Sequence, residues 1–358
     1  MENSKIRFGI LGGGWRSEFF LRAAKAVPER FELAGVWMRS QQKAQALAQK
    51  YAVRVTTDLE ELLETHLDYI VLCIPRENTL EYLEPLYSRG IPVLCETPPS
   101  DSLENLNRVW ELTQAKQGKI QVAEQYFLQP YHAAALEVIR RGYLGEVSNL
   151  RLSMVHGYHG VSLIRKYLNV GMQSCRVSAR HFAFPGIHHC DRTGLYTQGT
   201  AKPSSREVAL LEFESGKTAF FDFDGEQYFS YIRRRSINVQ GDRGELNDSS
   251  LSYLTEDLTP VTLPLHRVDT GADSNLEGFY HRGIQVGEQF MYRNPFPGAR
   301  LTDDELAVAS CMDRMGHYAK TGEEFYPLKE ALQDAYLSLL MQQADQTTLQ
   351  SAPQSWNR

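Results

Sequence analysis

Cysteine is scarce in this sequence, and no two cysteines stand in a C-x-x-C pair. The five cysteines are scattered along the chain, at Cys73, Cys95, Cys175, Cys190 and Cys311. An odd and unpaired set of thiols argues against a disulfide framework and is typical of a reducing compartment. We therefore expect a cytoplasmic protein.

Long runs of one residue type are also missing. No apolar stretch approaches the roughly 20 residues that span a bilayer, and the N-terminus lacks the pattern of a signal peptide. Net charge is −6, and the compact basic cluster Arg233-Arg234-Arg235 stands alone. These features argue against binding to nucleic acid or to a membrane. The polar tail from Gln346 onward is predicted to be frayed.

A chain of 358 residues with 42% hydrophobic content can form two domains with sizeable cores. Strand-like and helix-like segments alternate through the first part, with strands at 6–11, 31–38, 53–55, 68–74, 91–95 and 120–123. Strict β/α alternation predicts a doubly wound parallel sheet. We assign residues 1–123 to a Rossmann dinucleotide-binding domain.

The pattern changes after residue 123. Segments such as 208–213, 218–223 and 236–239 show the period of two that is typical of antiparallel strands, and helical segments follow at 303–317 and 328–344. Residues 124–358 are therefore predicted to form an α+β domain with a mostly antiparallel sheet, which would bind substrate and form oligomer contacts.

A glycine-rich turn joins the first strand to the first helix. Gly12, Gly13 and Gly14 follow the strand, and Ser17 occupies the third small position of a G-x-G-x-x-G-like motif. Gly12 permits a tight turn and Gly14 a close approach to a pyrophosphate, which the helix N-terminus would bind. An ordinary turn is the alternative, but the strand and helix around it favour a dinucleotide site.

The end of the second strand bears on the choice between NAD and NADP. An acid here binds the ribose of NAD, whereas arginine suits the 2′-phosphate of NADP. This chain has Met38-Arg39-Ser40 and no acid. The sequence therefore favours NADP over NAD, unless Arg39 stacks on adenine or is only solvated.

Four motifs together resemble the Gfo/Idh/MocA family, named for glucose–fructose oxidoreductase, inositol dehydrogenase and rhizopine catabolism. They are Gly12-Gly13-Gly14, Cys95-Glu96-Thr97-Pro98, Gly142-Tyr143-Leu144-Gly145-Glu146-Val147 and Gly241-Asp242-Arg243-Gly244-Glu245. The resemblance implies an NAD- or NADP-dependent oxidoreductase that acts on sugars, cyclitols or related polyols. It also implies a large open sheet in the second domain, through which a homodimer or homotetramer would form.

The resemblance also assigns positions to the reaction. The family has a lysine where this chain has Thr97, and an aspartate where it has Val155, while His159 takes the family's histidine position. An imidazole suits proton removal from an alcohol, so we expect His159 to be the acid/base, with Tyr158 and Tyr126 as hydrogen-bond partners. Alternatively, His159 caps a helix that begins near Ser162.

Further contacts are predicted on both sides of the cleft. Glu96 either accepts a hydrogen bond from the nicotinamide ribose or fixes the turn that follows it. The remaining cofactor contacts are predicted at Trp15, Arg16, Ile74, Pro75, Thr97 and Gln125, and substrate contacts at Tyr126, His156, His188, Asp191 and Arg192. The adjacent His188 and His189 point in different directions, so no metal site is expected.

Two classes of function remain open. The first is an oxidoreductase that transfers hydride between nicotinamide and a sugar-derived alcohol. The second is an NAD(P)-binding regulatory or sensor protein without catalysis, which Thr97 and Val155 at the family's lysine and aspartate positions would favour.

Overall fold

The N-terminal half of the fold is a parallel sheet flanked by helices. The computed structural model describes residues 5–275 and 277–357. The strands here are β1 (Ile6–Leu11), β2 (Phe31–Trp37), β3 (Val55–Thr56), β4 (Tyr69–Leu72), β5 (Val93–Cys95) and β6 (Ile120–Val122). The helices are α1 (Ser17–Ala26), α2 (Gln41–Tyr51), α3 (Leu59–Leu63), α4 (Thr79–Ser88) and α5 (Leu103–Lys116).

The order of these strands identifies a dinucleotide-binding sheet. Within the described residues, six strands pair in parallel in the order β3-β2-β1-β4-β5-β6. The strand order reverses between β1 and β4, which makes this the topological switch point of the sheet. In such folds, ligands bind at the carboxyl ends of the strands at this point. The wholly buried β4 agrees with a sheet covered on both faces. The predicted Rossmann fold is confirmed.

The remaining chain forms a second, larger sheet with four helices. The helices are α6 (Pro130–Arg140), α7 (Gly157–Leu168), α8 (Asp303–Thr321) and α9 (Leu328–Gln343). The strands are β7 (Val147–Ser153), β8 (Cys175–Cys190), β9 (Tyr196–Phe213), β10 (Thr218–Asp224), β11 (Ser236–Gly241), β12 (Gly244–Asn247), β13 (Ser250–Leu254), β14 (Pro260–Thr270), β15 (Tyr280–Val286), β16 (Gln289–Arg293) and β17 (Thr348–Gln350).

This second sheet is large, open and mostly antiparallel, as predicted. In the part of the chain that the structure describes, eleven strands are ordered β16-β15-β14-β13-β12-β11-β7-β10-β9-β8-β17. The neighbours β7 and β10 run parallel. Helix α7 packs on the inner face of the sheet so closely that a Cβ on Gly160 would lie 2.4 Å from the Phe221 ring of β10.

Helix α7 is also held from behind by a buried ionic network. Arg165 bonds to Asp334 of α9 and lies 2.8 Å from Glu330, and the Tyr326 hydroxyl also donates to Asp334. Burial raises the pKa of Asp334 to about 6, although Arg165 opposes that shift. Because an unpaired charge here would be costly, the network fixes α7 against α9.

Helix α8 returns to the N-terminal sheet. Its residues Leu306 and Met312 share one hydrophobic core with Ile6 and Phe8 of β1. Gly316 lets α8 approach closely, since a Cβ there would lie 2.5 Å from Ile6. The division at residues 1–123 and 124–358, whose outer ends lie outside the described residues, stays a prediction, and α8 is a segment that crosses it.

The prediction of a frayed C-terminal tail is wrong. Strand β17 pairs with β8, and the Trp356 side chain is 2% exposed, with its indole N–H donating to Gln333 at 3.0 Å. Although the tail is polar in composition, two of its apolar side chains, Leu349 and Trp356, contact the core.

Among the described helices, none has the length and apolar character needed to cross a membrane.

Candidate active site

The glycine-rich turn lies where β1 and β4 end side by side. Gly12 has φ of +103°, and its amide donates to the Trp37 carbonyl at 2.9 Å. A Cβ on Gly12 would lie 2.1 Å from the Cys73 carbonyl oxygen, so both conformation and space require glycine. Ile74 is half-buried beside Gly12, and Pro75 is exposed.

The other two glycines differ in their surroundings. A Cβ on Gly13 would lie 2.4 Å from the Met38 sulfur, whereas no described atom lies within 4 Å of a Cβ on Gly14. Gly14 therefore faces open space, on the side where a ligand can reach the backbone.

Helix α1 begins directly after this open turn. The Ser17 amide and hydroxyl both donate to the Gly14 carbonyl, at 3.0 and 2.6 Å. Among the described residues, no side chain caps the helix at Arg16. The positive end of the helix dipole is thus open to an anion, and the residues present fit the pyrophosphate of a dinucleotide.

Arg16 carries a buried positive charge into the site. Its Nε donates to Glu96 at 2.8 Å and its Nη1 lies 3.4 Å from Asp304. Burial would lower the pKa of Arg16, but Glu96 and Asp304 raise it above its ordinary value. The other oxygen of Glu96 accepts from the Thr97 amide at 3.1 Å. Glu96 thus stabilises the turn after β5, which was one of its two predicted roles.

Asp304 brings the first turn of α8 into this cluster. It accepts hydrogen bonds from the side-chain amides of Gln125 and Gln129, each at 3.3 Å. Within the described residues, two buried polar atoms here lack a partner, Arg16 Nη2 and Gln125 Oε1. Buried polar atoms are nearly always paired, so these two agree with a site that receives a polar ligand.

The residues predicted to select the cofactor follow β2. Met38 is buried against the glycine turn, whereas Arg39 and Ser40 are exposed. The Ser40 hydroxyl accepts from the Lys43 amide at 3.4 Å and so caps α2. Arg39 is an exposed cation at this edge of the sheet.

His159 is paired with a buried acid, Glu124. The two side chains meet at 2.6 Å between Nδ1 and Oε2, and Glu124 is 0% exposed. The other carboxylate oxygen accepts from the Tyr126 amide at 3.0 Å. Burial raises the pKa of Glu124, while burial and then the charge of Arg16 lower the pKa of His159 to about 4. The imidazole is therefore neutral at physiological pH.

The position of His159 in its helix bears on one of its two predicted roles, that of a helix cap. Helix α7 begins at Gly157, with His156 as the flanking residue. The alternative that His159 caps a helix beginning near Ser162 is therefore wrong. His159 lies in the first turn of α7, and its side chain turns toward the end of β6.

Aromatic and polar rings surround His159. The rings of Tyr126 and His156 lie 4.5 and 5.1 Å from it, centre to centre. Tyr228 contacts His156: its hydroxyl bonds to His156 Nδ1 and accepts from the His156 amide at 3.2 Å. This wall offers hydroxyl and imidazole groups of the kind that bind polyols.

Thr97 and Tyr158 are the other two residues predicted to take part in catalysis with His159. Thr97 is half-buried at the end of β5. Tyr158 is only 4% exposed and packs in the main hydrophobic core, and its hydroxyl has no partner among the described residues. The Tyr158 ring nevertheless lies 5.3 Å from the His159 ring, centre to centre. A catalytic role for Tyr158 stays a prediction, against which this burial argues.

The histidine-rich hairpin contacts both the loop of Glu226 and the glycine turn. His188 lies 2.9 Å from Glu226, and Asp191 accepts from the Thr193 amide at 2.8 Å and so closes the hairpin tip. The Arg192 guanidinium lies 3.7 Å from the ring centre of Trp15, in the glycine turn. Because β8 and β9 extend far beyond the core, the hairpin tip lies at the glycine turn. In residues 5–275 and 277–357, no three potential ligand side chains are grouped to hold a metal ion.

Sequence reasoning missed three residues of this site, namely Glu124, Asp304 and Tyr228. Glu124 directly follows Ala123 at the carboxyl end of β6, and an acid at that edge of a parallel sheet is a usable signal. Asp304 and Tyr228 come from a distant helix and a loop, and no local pattern indicates their position.

The contrast between Gly12 and Gly14 gives a direct test of the turn. Gly12→Ala should lower the free energy of unfolding by about 2 kcal/mol or more, because a side chain there combines backbone strain with a clash. Gly14→Ala should stay within about 0.5 kcal/mol of the parent, because its Cβ would meet open space. Urea unfolding measures both, and equal stabilities of the two variants would contradict this account of the turn.

Comparison with known proteins agrees with this geometry. Residues 6–124 match the GFO_IDH_MocA model, described as an oxidoreductase family with an NAD-binding Rossmann fold. An uncharacterized oxidoreductase of Schizosaccharomyces pombe is 28% identical over 146 residues, 40% of each chain. The NADP-dependent scyllo-inositol 2-dehydrogenase of Bacillus subtilis is 33% identical over 95 residues, 26% of this chain and 29% of the relative. The chain thus matches less than half the length of either.

Solved structures extend the similarity of the fold over the whole chain. The scyllo-inositol dehydrogenase of Lactobacillus casei superimposes with a TM-score of 0.67 at 14% identity, over 98% of this chain and 99% of that enzyme. The same enzyme with bound NAD(H) and scyllo-inositol gives 0.66 at 13% identity, over 97% and 99% of the two chains. The family model thus matches the Rossmann domain, residues 6–124, and agrees with the resemblance to the Gfo/Idh/MocA family that the motifs carry.

Proposed function

We propose that this chain is an NAD(P)-dependent oxidoreductase that transfers a hydride between nicotinamide and a secondary alcohol of a sugar, cyclitol or related polyol. The observation that carries the proposal is the buried pair of His159 and Glu124, located at the same sheet edge as the glycine turn. Two of the relatives compared above are named for their action on scyllo-inositol, a cyclic polyol. The regulatory alternative gains no support from these relatives.

The cofactor would be held by the residues at the carboxyl edge of the parallel sheet. When bound, nicotinamide supplies the hydride acceptor or donor. The protein residues assigned to hold the dinucleotide are Gly12, Gly13, Gly14, Trp15, Arg16, Met38, Arg39, Ser40, Ile74, Pro75, Glu96, Thr97 and Gln125. The open backbone at Gly14 and the unpartnered Nη2 of Arg16 support this assignment.

The alcohol proton would pass to His159. With its Nδ1 directed at Glu124, the imidazole has Nε2 free to accept a proton. Once Nε2 is protonated, the Nδ1 proton lies within a 2.6 Å hydrogen bond of a carboxylate whose pKa is raised by burial. The pair therefore takes up one proton as a unit and can end with both groups uncharged.

The substrate would lie against the ring wall around His159. Tyr126, His156 and Tyr228 present hydroxyl and imidazole groups there, and we assign them to the polyol hydroxyls. Thr97, at the family's lysine position, can contribute one hydrogen bond but no charge. We assign no step to Tyr158, whose ring packs in the core.

Substitution of the pair tests this mechanism. His159→Gln should lower kcat for polyol oxidation by about a hundredfold or more, because proton transfer loses its acceptor. Glu124→Gln should lower kcat by about tenfold or more with little change in KM, because it acts through His159. It should also move the acidic limb of kcat/KM to lower pH, since the raised pKa of Glu124 no longer contributes. Steady-state rates measured across pH check both expectations.

A matched control is an exposed histidine–glutamate pair elsewhere. His317 bonds to Glu323 at 2.9 Å on the surface of α8. His317→Gln should leave the rate and its pH profile unchanged. Full activity of His159→Gln with every polyol that the parent oxidises would remove His159 from the mechanism.

We also propose that NADP is preferred over NAD. Arg39 is an exposed cation at the end of β2, where the 2′-phosphate of NADP is bound in Rossmann folds. Arg39→Ala should weaken NADPH binding by about tenfold, the effect expected for a charge-assisted contact, and change NADH binding little. Fluorescence titration measures both constants, with Arg108→Ala on α5 as control. Equal losses for the two cofactors would contradict the role of Arg39.

The open sheet is proposed to form the contact of a homodimer or homotetramer. Phe221 faces α7, so its neighbour Phe220 points to the outer face, where it is 45% exposed near Val208 at 36%. Phe220→Glu should reduce the mass measured by sedimentation velocity. Leu258→Glu, in an exposed turn, should not. A monomeric parent would contradict the proposal.

Cytoplasmic location and the absence of nucleic-acid or membrane partners stay predictions.

A further inference from the structure

The two strands of the β8–β9 hairpin are much longer than the neighbouring strands β10 and β17. Its strands stay paired from Cys175 opposite Phe213 to Cys190 opposite Tyr196. Cys175, Val177 and Ala179 are buried at its base, whereas the residues of β8 beyond Arg180 are either exposed or half-buried. Sixteen residues of strand correspond to about 50 Å, so the hairpin can reach the other sheet.

The tip of this hairpin contacts the glycine turn. Arg192 lies over the indole of Trp15, which follows Gly14 directly and is 53% exposed. An exposed cation–π contact contributes only about 0.5–1 kcal/mol. Such a contact is too weak to be the main use of an arginine presented across two sheets, and it exchanges readily for a stronger partner.

The turn beside Trp15 is built for an anion. Gly14 faces open space, and α1 presents its uncapped N-terminus there. The Arg192 guanidinium on the Trp15 ring adds a positive charge next to this turn, whereas the guanidinium of Arg16 is already engaged with Glu96. Arginine binds phosphate oxygens through two parallel hydrogen bonds, which far exceed its stacking energy on an indole.

From this placement we infer that Arg192 is a cofactor-binding residue, which closes the outer side of the dinucleotide site by pairing with the pyrophosphate beside Trp15. The inference rests on the proposed function. It replaces the expectation that Arg192 contacts the substrate, and it makes the hairpin tip the outer wall of the cofactor site.

The same hairpin is tied to the ring wall around His159. His188 lies 2.9 Å from Glu226, and the Tyr231 hydroxyl donates to the Gly194 carbonyl at 3.2 Å. Glu226 and Tyr231 belong to the loop that carries Tyr228, the partner of His156. A dinucleotide that holds the tip would therefore also hold the substrate wall in place.

The test is the rate at which NADPH leaves the protein. In stopped-flow displacement followed by nicotinamide fluorescence, Arg192→Gln should release NADPH about tenfold faster than the parent, the loss expected for one charge-assisted contact. Arg192→Lys should be intermediate, because lysine keeps the charge but loses the paired geometry. Arg180→Gln, on the same hairpin and exposed, should release NADPH at the parent rate.

Acrylamide quenching gives a readout independent of activity. Trp15 is the most exposed tryptophan described, so NADPH should protect the parent from quenching and protect Arg192→Gln much less. Equal release rates in Arg192→Gln and Arg180→Gln would overturn the inference, as would a raised polyol KM with unchanged NADPH release. No NADPH binding by the parent would instead overturn the proposed function, and this inference with it.

Discussion

The hydrogen bond between Glu124 and His159 is the contact on which the site depends. Glu124 stands at the end of β6, in the first sheet, and His159 stands in α7, beneath the second. Neither group is stable at this depth without the other, because a buried carboxylate needs donors and a buried imidazole needs an acceptor. The contact therefore couples the position of the two sheets to the protonation of the His159–Glu124 pair.

The rest of α7 is built to hold that contact in register. A Cβ on Gly157 would lie 2.7 Å from the Ser338 hydroxyl, and one on Gly160 would meet Phe221, so the helix is in close contact with α9 and with the sheet. Arg165 fixes the far end through Asp334. A helix restrained by both α9 and the sheet holds His159 opposite Glu124, so the imidazole is oriented in advance.

Local pattern predicted much of the fold but only part of the site. Apolar strands and capped helices are indicated by patterns within short stretches of sequence. The Rossmann alternation and the glycine turn could therefore be predicted. Glu124, the partner of His159, lies 35 positions before it in the sequence. Trp15, whose ring contacts Arg192, is even more distant from its partner along the chain. Neither Trp15 nor Arg192 carries a local signal of the other, and α8 joins the first core through a return of the chain that periodicity does not encode.

The missing lysine changes the charge balance of the site rather than emptying it. Thr97 itself carries no charge, and the buried cation comes from Arg16 in the glycine turn. Three acids, Glu96, Asp304 and Glu124, lie around that single guanidinium. This excess of negative charge favours proton uptake, and it acts in the same direction as the burial of Glu124. In the mechanism proposed above, the His159 pair would therefore accept the alcohol proton without the help of a lysine.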